Sequence, residues 1–335
     1  MSLWRRRKAR TSPASDVPHE MAAVEPPPPP EPEPKPEAPP SRFISVDFDA
    51  ADPAQLLYRD PHADTGVVKD FGAIPFRSES CSSHHFLLSC YPYWCETFDS
   101  IPGHHRKQWE FVYILQVLWE RGMLAPGKRG LGFGVGLEPL PAIMAARGCE
   151  VVATDLGAEE QAATFWSEGG QHSVALSDLN KNGHCPPEDF ERLVSFEAVD
   201  MNNIPDTLRG FDFCWSACAL EHLGSLDAGL TFYRNSIDTL NPGGIAVHTT
   251  ELNLSSDEDT LEDINTVLYR KKDLTAMMDE LTAQGHYCEP LLIHHGSQPL
   301  DGFIDVPPYL QNPHLRLQVA QYVTTSVGII TRKKL

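Results

Sequence analysis

Gly132, Gly134 and Gly136 stand in the run GLGFGVG, and Asp155 follows Gly136 by 19 positions, closing the apolar run Val151-Val152-Ala153-Thr154. Glycine lets a backbone turn sharply and approach a ligand closely, and a carboxylate at the next strand end can accept two ribose hydroxyls. Together these residues describe a nucleoside-binding βαβ unit. Further groups suited to chemistry come at regular intervals: Asp200 and Met201 in VDMNNIP, Ser216 and Cys218 in FDFCWSAC, Glu221 and His222 in ALEHL, and His248 to Glu251 in HTTE. Carried at the carboxyl ends of parallel strands, such groups line the crevice where open α/β sheets bind ligands.

The elements that must carry them are legible as alternating strand and helix signals. WEFVYILQVLW, from Trp109 to Trp119, is long and apolar enough for a buried helix ended by Gly122. A short strand then runs into Gly132, followed by a helix from about Leu137 to Arg147 whose first N–H groups face the loop, the strand Glu150 to Asp155, and a helix from about Ala158. Strands are expected in LVSFEAVD, FDFCWS and GIAVHTT, the last introduced by the turn Asn241-Pro242-Gly243-Gly244. A helix near Asp273 to Gln284 leads to two final strands, His286 to Ile293 and Tyr322 to Thr331, expected to pair as an antiparallel hairpin. Residues 43 to 107 read as irregular, with aromatics gathered in YPYWCETF.

Which nucleoside is bound follows from spacing and order. A dinucleotide fingerprint G-x-G-x-x-G counted from Gly132 would need glycine at 137, where the chain has leucine. The observed G-x-G-x-G, followed in order by Asp155, VDMNNIP, FDFCWSACALEHL and LNPGG, resembles motifs I to V of class I S-adenosylmethionine-dependent methyltransferases. The resemblance covers roughly Trp109 to Lys333 and implies an α/β fold: a Rossmann-like three-layer sandwich with a seven-stranded, mostly parallel sheet and an antiparallel last strand. It divides the chain into a proline-rich arm (1–42), an N-terminal acceptor-side cap (43–107) and a methyltransferase domain (108–335). The cofactor implied is S-adenosyl-L-methionine. Gly132, Gly134 and Gly136 would lie against its methionine part, Asp155 would bind the ribose diol, Asp200 the adenine amino group, and Met201 the ring, with Ser216 also beside the cofactor.

One position departs from the family's pattern. An acid usually stands two residues before the first of these glycines and helps hold the cofactor's amino group; here that residue is Gly130. Glu138, just past the loop, is expected to supply the missing carboxylate.

A sulfonium is an activated methyl donor, so in-line transfer requires chiefly orientation and exclusion of water, and a base only where the acceptor is protonated. His222 is the expected base, since histidine titrates near neutrality, and Glu251 and His248 are the second choice. Alternation along a strand prevents His248 and Glu251 from facing one methyl as neighbours. The acceptor, expected to be a small molecule, a sugar or a lipid-linked intermediate, would be bounded by Tyr91, Tyr93 and Trp94, by Arg106 and Lys107, and by the long link from Phe303 to Leu317. A nicotinamide-dependent reductase and a catalytically inactive methyltransferase-like binding module are the alternatives.

Composition narrows the classes. A formal net charge of -19 and a pI near 5.1 disfavour a nucleic-acid acceptor, and no run reaches the length of a membrane span. A soluble, cytoplasmic enzyme is expected. The first forty residues hold 12 of the 29 prolines; they are expected to form a disordered arm that could dock a protein partner. Cys81, His84, His85, Cys90 and Cys95 lie within fifteen residues but lack paired C-x-x-C spacing, so no metal is expected there, nor at a cluster of His294 and His295 with His248 and Glu251.

Overall fold

A computed structural model of the chain describes residues 76–157, 176–296, 298–309 and 312–335. The proline-rich arm and the helix expected from Ala158 lie outside them. Nine strands among the described residues form one sheet: β1 (Glu79–Ser80), β2 (Arg129–Gly132), β3 (Glu150–Asp155), β4 (Val194–Ala198), β5 (Phe211–Ala217), β6 (Leu240–Asn253), β7 (Tyr287–Cys288), β8 (Leu317–Val319) and β9 (Tyr322–Arg332). The central order is β4-β3-β2-β5-β6-β9, with β2 to β6 parallel and β9 antiparallel to β6. Short β7 adds to the far side of β9, as do β1 and β8, all antiparallel to it. The expected Rossmann-like sheet with a reversed last strand is therefore present, with two strands more than anticipated.

Alternation on the strands builds three layers. From β5, Phe213 and Trp215 enter one core with α1 (Cys90–Thr97), α2 (Arg106–Glu120), α3 (Leu140–Ala145) and α4 (Pro187–Leu193). Cys214, Leu131 and Phe133 enter the other, beneath α5 (Leu226–Asp238) and α6 (Lys271–Ala283). Helix α2 has the buried side expected of it, with Trp109, Val112, Leu115 and Leu118 fully inaccessible.

Three expectations are corrected. The aromatic stretch is not irregular: Cys90–Thr97 is helical, and Pro92 is tolerated because it falls in the first turn. Helix α3 is six residues long rather than starting at Leu137, since Pro139 and Pro141 confine its beginning. The Asn241-Pro242-Gly243-Gly244 turn does not precede β6 but lies inside it as an irregularity, where pairing jumps from Phe211 with Leu240 to Phe213 with Ile245.

Candidate cofactor and acceptor site

The loop after β2 takes the shape that its glycines permit. Gly134 and Gly136 have φ of +57° and +50°, in the left-handed region that a side chain disfavours. A Cβ on Gly134 would lie 3.0 Å from Ala219 and 3.2 Å from the Met201 sulfur, so the loop is pressed between the ends of β4 and β5. The Gly136 N–H donates to Asp155 Oδ2 at 3.0 Å, and the Leu156 N–H to Oδ1 at 2.8 Å. Both oxygens of the carboxylate are thereby oriented by backbone, which fixes its plane at the end of β3. Asp200 ends the next strand's connection; its Oδ1 accepts from the Asn202 N–H at 2.8 Å, closing an Asx turn that leaves Met201 buried beside the loop. Gly132, Gly134, Gly136, Asp155 and Met201 are thus brought together, with Asp200 at the next strand end.

Asp155 and Asp200 at consecutive strand ends, a glycine loop on the first parallel strand, and β9 inserted antiparallel between β6 and β7 are on one sheet. This is a Rossmann-like α/β fold with one reversed strand. No family model matches the chain, and no curated protein matches it in sequence. Among solved structures, the chain is similar to the glycopeptide N-methyltransferase MtfA complexed with sinefungin (12% identity, 69% of this chain and 87% of that chain, TM-score 0.40). It is also similar to a 1,6-didemethyltoxoflavin-N1-methyltransferase of Burkholderia thailandensis (16% identity, 65% and 75%, TM-score 0.36). At that likeness neither reaction nor substrate carries across.

Within this sheet, Gly130 has a steric reason. A Cβ there would fall inside van der Waals contact of the Phe213 ring on β5. Gly130→Ala is therefore expected to destabilise the chain by about 1–3 kcal/mol through overpacking, read as a lower denaturant midpoint at unchanged slope. Trimming the neighbour in Gly130→Ala/Phe213→Leu should recover part of the loss. A midpoint unaffected by the single substitution would refute the packing account.

Glu138 is buried, and Trp215 Nε1 donates to its Oε1 at 2.7 Å. Burial pushes its carboxyl up to about 8, against the opposing hydrogen bond from Trp215 and the charge of Lys107. The free protein therefore holds Glu138 largely protonated at neutral pH.

Ser216 does not join the loop. Alternation along β5 turns it to the α5 side, where its hydroxyl lies 2.8 Å from His248 Nδ1, and His248 Nε2 lies 3.0 Å from the Ser236 hydroxyl. Both residues are fully buried, and burial holds the His248 imidazole down to about 3, so His248 is a neutral core residue rather than a base. His248 and Glu251 do face opposite sides of the sheet, and the supposed cluster joining them to His294 and His295 is not formed.

His222 ends the 3-10 turn Leu220–His222, whose first hydrogen bond runs from its own N–H to Ala219, the residue packed on Gly134. Its Nδ1 lies 2.7 Å from the Asn265 carbonyl. A carbonyl only accepts, so Nδ1 carries the proton and the basic lone pair belongs to Nε2.

Around the ends of β5 and β6 the structure assembles a charged network whose connections the sequence did not announce. Arg106 forms an ion pair with Glu251, whose other oxygen accepts from the Thr324 hydroxyl at 2.7 Å. Lys107 Nζ sits 2.7 Å from Glu110 Oε2 and donates to the Ala217 carbonyl at 3.0 Å, while the Ser326 hydroxyl donates to Glu110 Oε1 at 2.6 Å. Glu221 is buried and accepts from the Thr250 hydroxyl at 3.0 Å. Glu251, expected as a base, is therefore engaged by a guanidinium. Tyr91, Tyr93 and Trp94 are buried in packing: Trp94 Nε1 donates to Gln116 at 2.7 Å, Tyr91 donates to Gln108 at 3.0 Å, and Arg147 donates to the Tyr93 hydroxyl at 3.0 Å. They hold α1 against α2 and α3 rather than presenting their rings to an acceptor.

Proposed function

We propose that the chain is an S-adenosylmethionine-dependent methyltransferase acting on a small-molecule, sugar or lipid-linked acceptor. The observation that carries this reading is the Asp155 carboxylate, held by the Gly136 and Leu156 N–H groups at the mouth of a loop pressed on Met201. An acceptor oriented in this way suits a ribose diol, and the left-handed glycines leave the backbone open to close approach. Asp200 would receive the adenine amino group and Met201 would cover the ring. When bound, S-adenosylmethionine supplies a methyl group already activated on a sulfonium.

The remaining work falls to the chain's own residues. His222, with its lone pair on Nε2, takes the proton of a hydroxyl or amine acceptor. Arg106 and Lys107 stand at the acceptor side, fixed and neutralised by Glu251 and Glu110, and Glu251 acts by holding Arg106 rather than as a base. No helix among the described residues is long and apolar enough to cross a membrane.

Calorimetry with the full chain tests the reading: heat is expected for S-adenosylmethionine and its demethylated product and not for a nicotinamide dinucleotide. The reverse pattern would replace it with a reductase, and silence towards all three would favour a binding module. Methyl-labelled donor incubated with fractionated cell extract would then identify the acceptor.

Glu138 would take the donor's amino group in place of the absent acid at position 130. Its carboxyl titrates at about 8 in the free protein, so engaging an ammonium group must drive its proton off. Binding at pH 7 is therefore expected to release a proton, making the observed heat vary with the ionisation enthalpy of the buffer, and affinity should rise up to about tenfold per pH unit towards pH 8. Glu138→Gln should abolish both effects. The stability sign runs the other way: a raised carboxyl stabilises the fold at low pH, and that contribution is lost as pH climbs through about 8. Buffer-independent heats in the native chain would remove Glu138 from the amino-group site.

A further inference from the structure

Away from the glycine loop, on the β1 side of β9, three imidazoles converge on one carboxylate. Glu79 lies on β1, His84 and His85 on the 3-10 turn Ser83–Leu87, and His294 on the segment after β7. One ring nitrogen from each histidine and one oxygen of Glu79 all lie within 4.8 Å of one another. Glu79 Oε2 is 2.8 Å from His294 Nε2 and 3.2 Å from His85 Nε2. In a tetrahedral zinc site with bonds of about 2.0–2.1 Å, ligand atoms stand roughly 3.3 Å apart. The cluster needs only small side-chain movements to reach that spacing.

A second feature points the same way. Metal-bound histidines characteristically have their other ring nitrogen held by the protein, which sets the tautomer and aims the ligand nitrogen. Here Ser82 serves two of them: its hydroxyl lies 3.1 Å from His84 Nδ1, and its backbone N–H and carbonyl each lie 3.1 Å from His85 Nδ1, the N–H contact suiting the other tautomer. That leaves the Nε2 edges for the cluster. His294 is positioned from its backbone, whose N–H donates to the Ser80 hydroxyl at 2.8 Å. His85 and Glu79 are buried and His84 is exposed, giving a dry interior with an entrance.

We infer that Glu79, His84, His85 and His294 form a binding site for a divalent transition-metal ion, with zinc as the fitting occupant. Three nitrogens and one oxygen complete a tetrahedron without a position for water, so the ion is structural. It would tie residues 79–85 to the segment at 292–294, which already share the backbone hydrogen bonds Ser80 to Leu292 at 3.0 Å and Leu292 to Ser78 at 2.8 Å. The ligands come from two stretches more than 200 residues apart in the chain, as the separation of Glu79 and His294 shows. That distance is why cysteine and histidine spacing within residues 81–95 gave no sign of the site.

The full chain, loaded with zinc chloride and desalted, is expected to retain about one equivalent by elemental analysis. Removing the ion with a chelator should lower the thermal midpoint, and cobalt should give the strong visible absorption of a four-coordinate site. His294→Ala and His84→Ala should each weaken zinc binding at least about tenfold, whereas His295→Ala should leave it unchanged. Because His84 is exposed, its variant is expected to fold, which circular dichroism would verify. A folded native chain that retains no zinc, or zinc binding unaltered in both His84→Ala and His294→Ala, overturns the inference.

Discussion

Replacing Asp155 by alanine is expected to weaken S-adenosylmethionine binding by on the order of a hundredfold or more while leaving the fold intact. Hydrogen bonds to an ionised group contribute roughly 1.5–3 kcal/mol each, and a ribose diol offers two. Even with partial non-additivity the loss exceeds tenfold. The substitution also removes the partner of the Gly136 N–H, found 19 positions earlier in the chain, so the loop loses the contact that sets its distance from β3. Both effects act on the same ligand. Asp155 is half-buried, so its carboxylate can be removed without opening a cavity, and a thermal midpoint within a few degrees of the native value is expected. Asp155→Asn retains one acceptor oxygen and should fall between the two. Titration calorimetry decides: affinity in Asp155→Ala equal to the native value would remove the ribose assignment and with it the carrying observation for methyl transfer.

Asp155 was legible because local chemistry sufficed. A glycine run, an apolar strand and an acid at its end lie within 26 residues, from Gly130 to Asp155, and their structural meaning requires no knowledge of the rest of the chain. The same holds for the mostly parallel sheet, since strands that alternate with helices are joined by βαβ crossovers. Ser216 failed for an equally local reason. The strand was recognised, but the parity of its side chains was not applied: Phe213 and Trp215 are the large residues packed on the α2 side, which commits Ser216 to the opposite face. The aromatic residues of α1 could be read either way, because an exposed stacking platform and a buried packing face have the same composition.

What could not be read were contacts closed by the fold. Arg106 and Glu251 are 145 positions apart, and Ser326 and Glu110 are 216 apart. The sequence placed Arg106 and Lys107 beside an acceptor but named no partner for either. Only the antiparallel insertion of β9 beside β6 brings Glu251, Thr324 and Ser326 against α2. Gly130 is intermediate: its departure from the family pattern was visible, but its cause is a ring on a strand 83 positions later.

Glu110→Ala is expected to be the most damaging single change to stability, at about 3–5 kcal/mol, the range for breaking a buried ion pair. Glu110 is fully inaccessible and its two oxygens are engaged by Lys107 and the Ser326 hydroxyl. Burial alone would raise its carboxyl, but the charges of Lys107 and Arg106 outweigh it and hold the group below the usual carboxylate range. Its contribution is therefore present above that range and is lost as pH falls through the depressed value, so the native chain should lose more stability on acidification than Glu110→Ala does. Lys107 tempers the cost: its side chain is 45% exposed and can turn partly to water when its partner is gone. An apolar pair, Lys107→Met/Glu110→Leu, should be far closer to native stability than Glu110→Ala, because it removes both charges and fills the space. Urea unfolding of the three chains separates these outcomes, and equal destabilisation in both variants would show that neither the unpaired lysine nor the lost volume accounts for the cost. The consequence reaches the cofactor loop as well. Lys107 anchors the Ala217 carbonyl at the end of β5, two residues before the Ala219 that packs on Gly134, so loss of Glu110 should also raise the dissociation constant for the methyl donor.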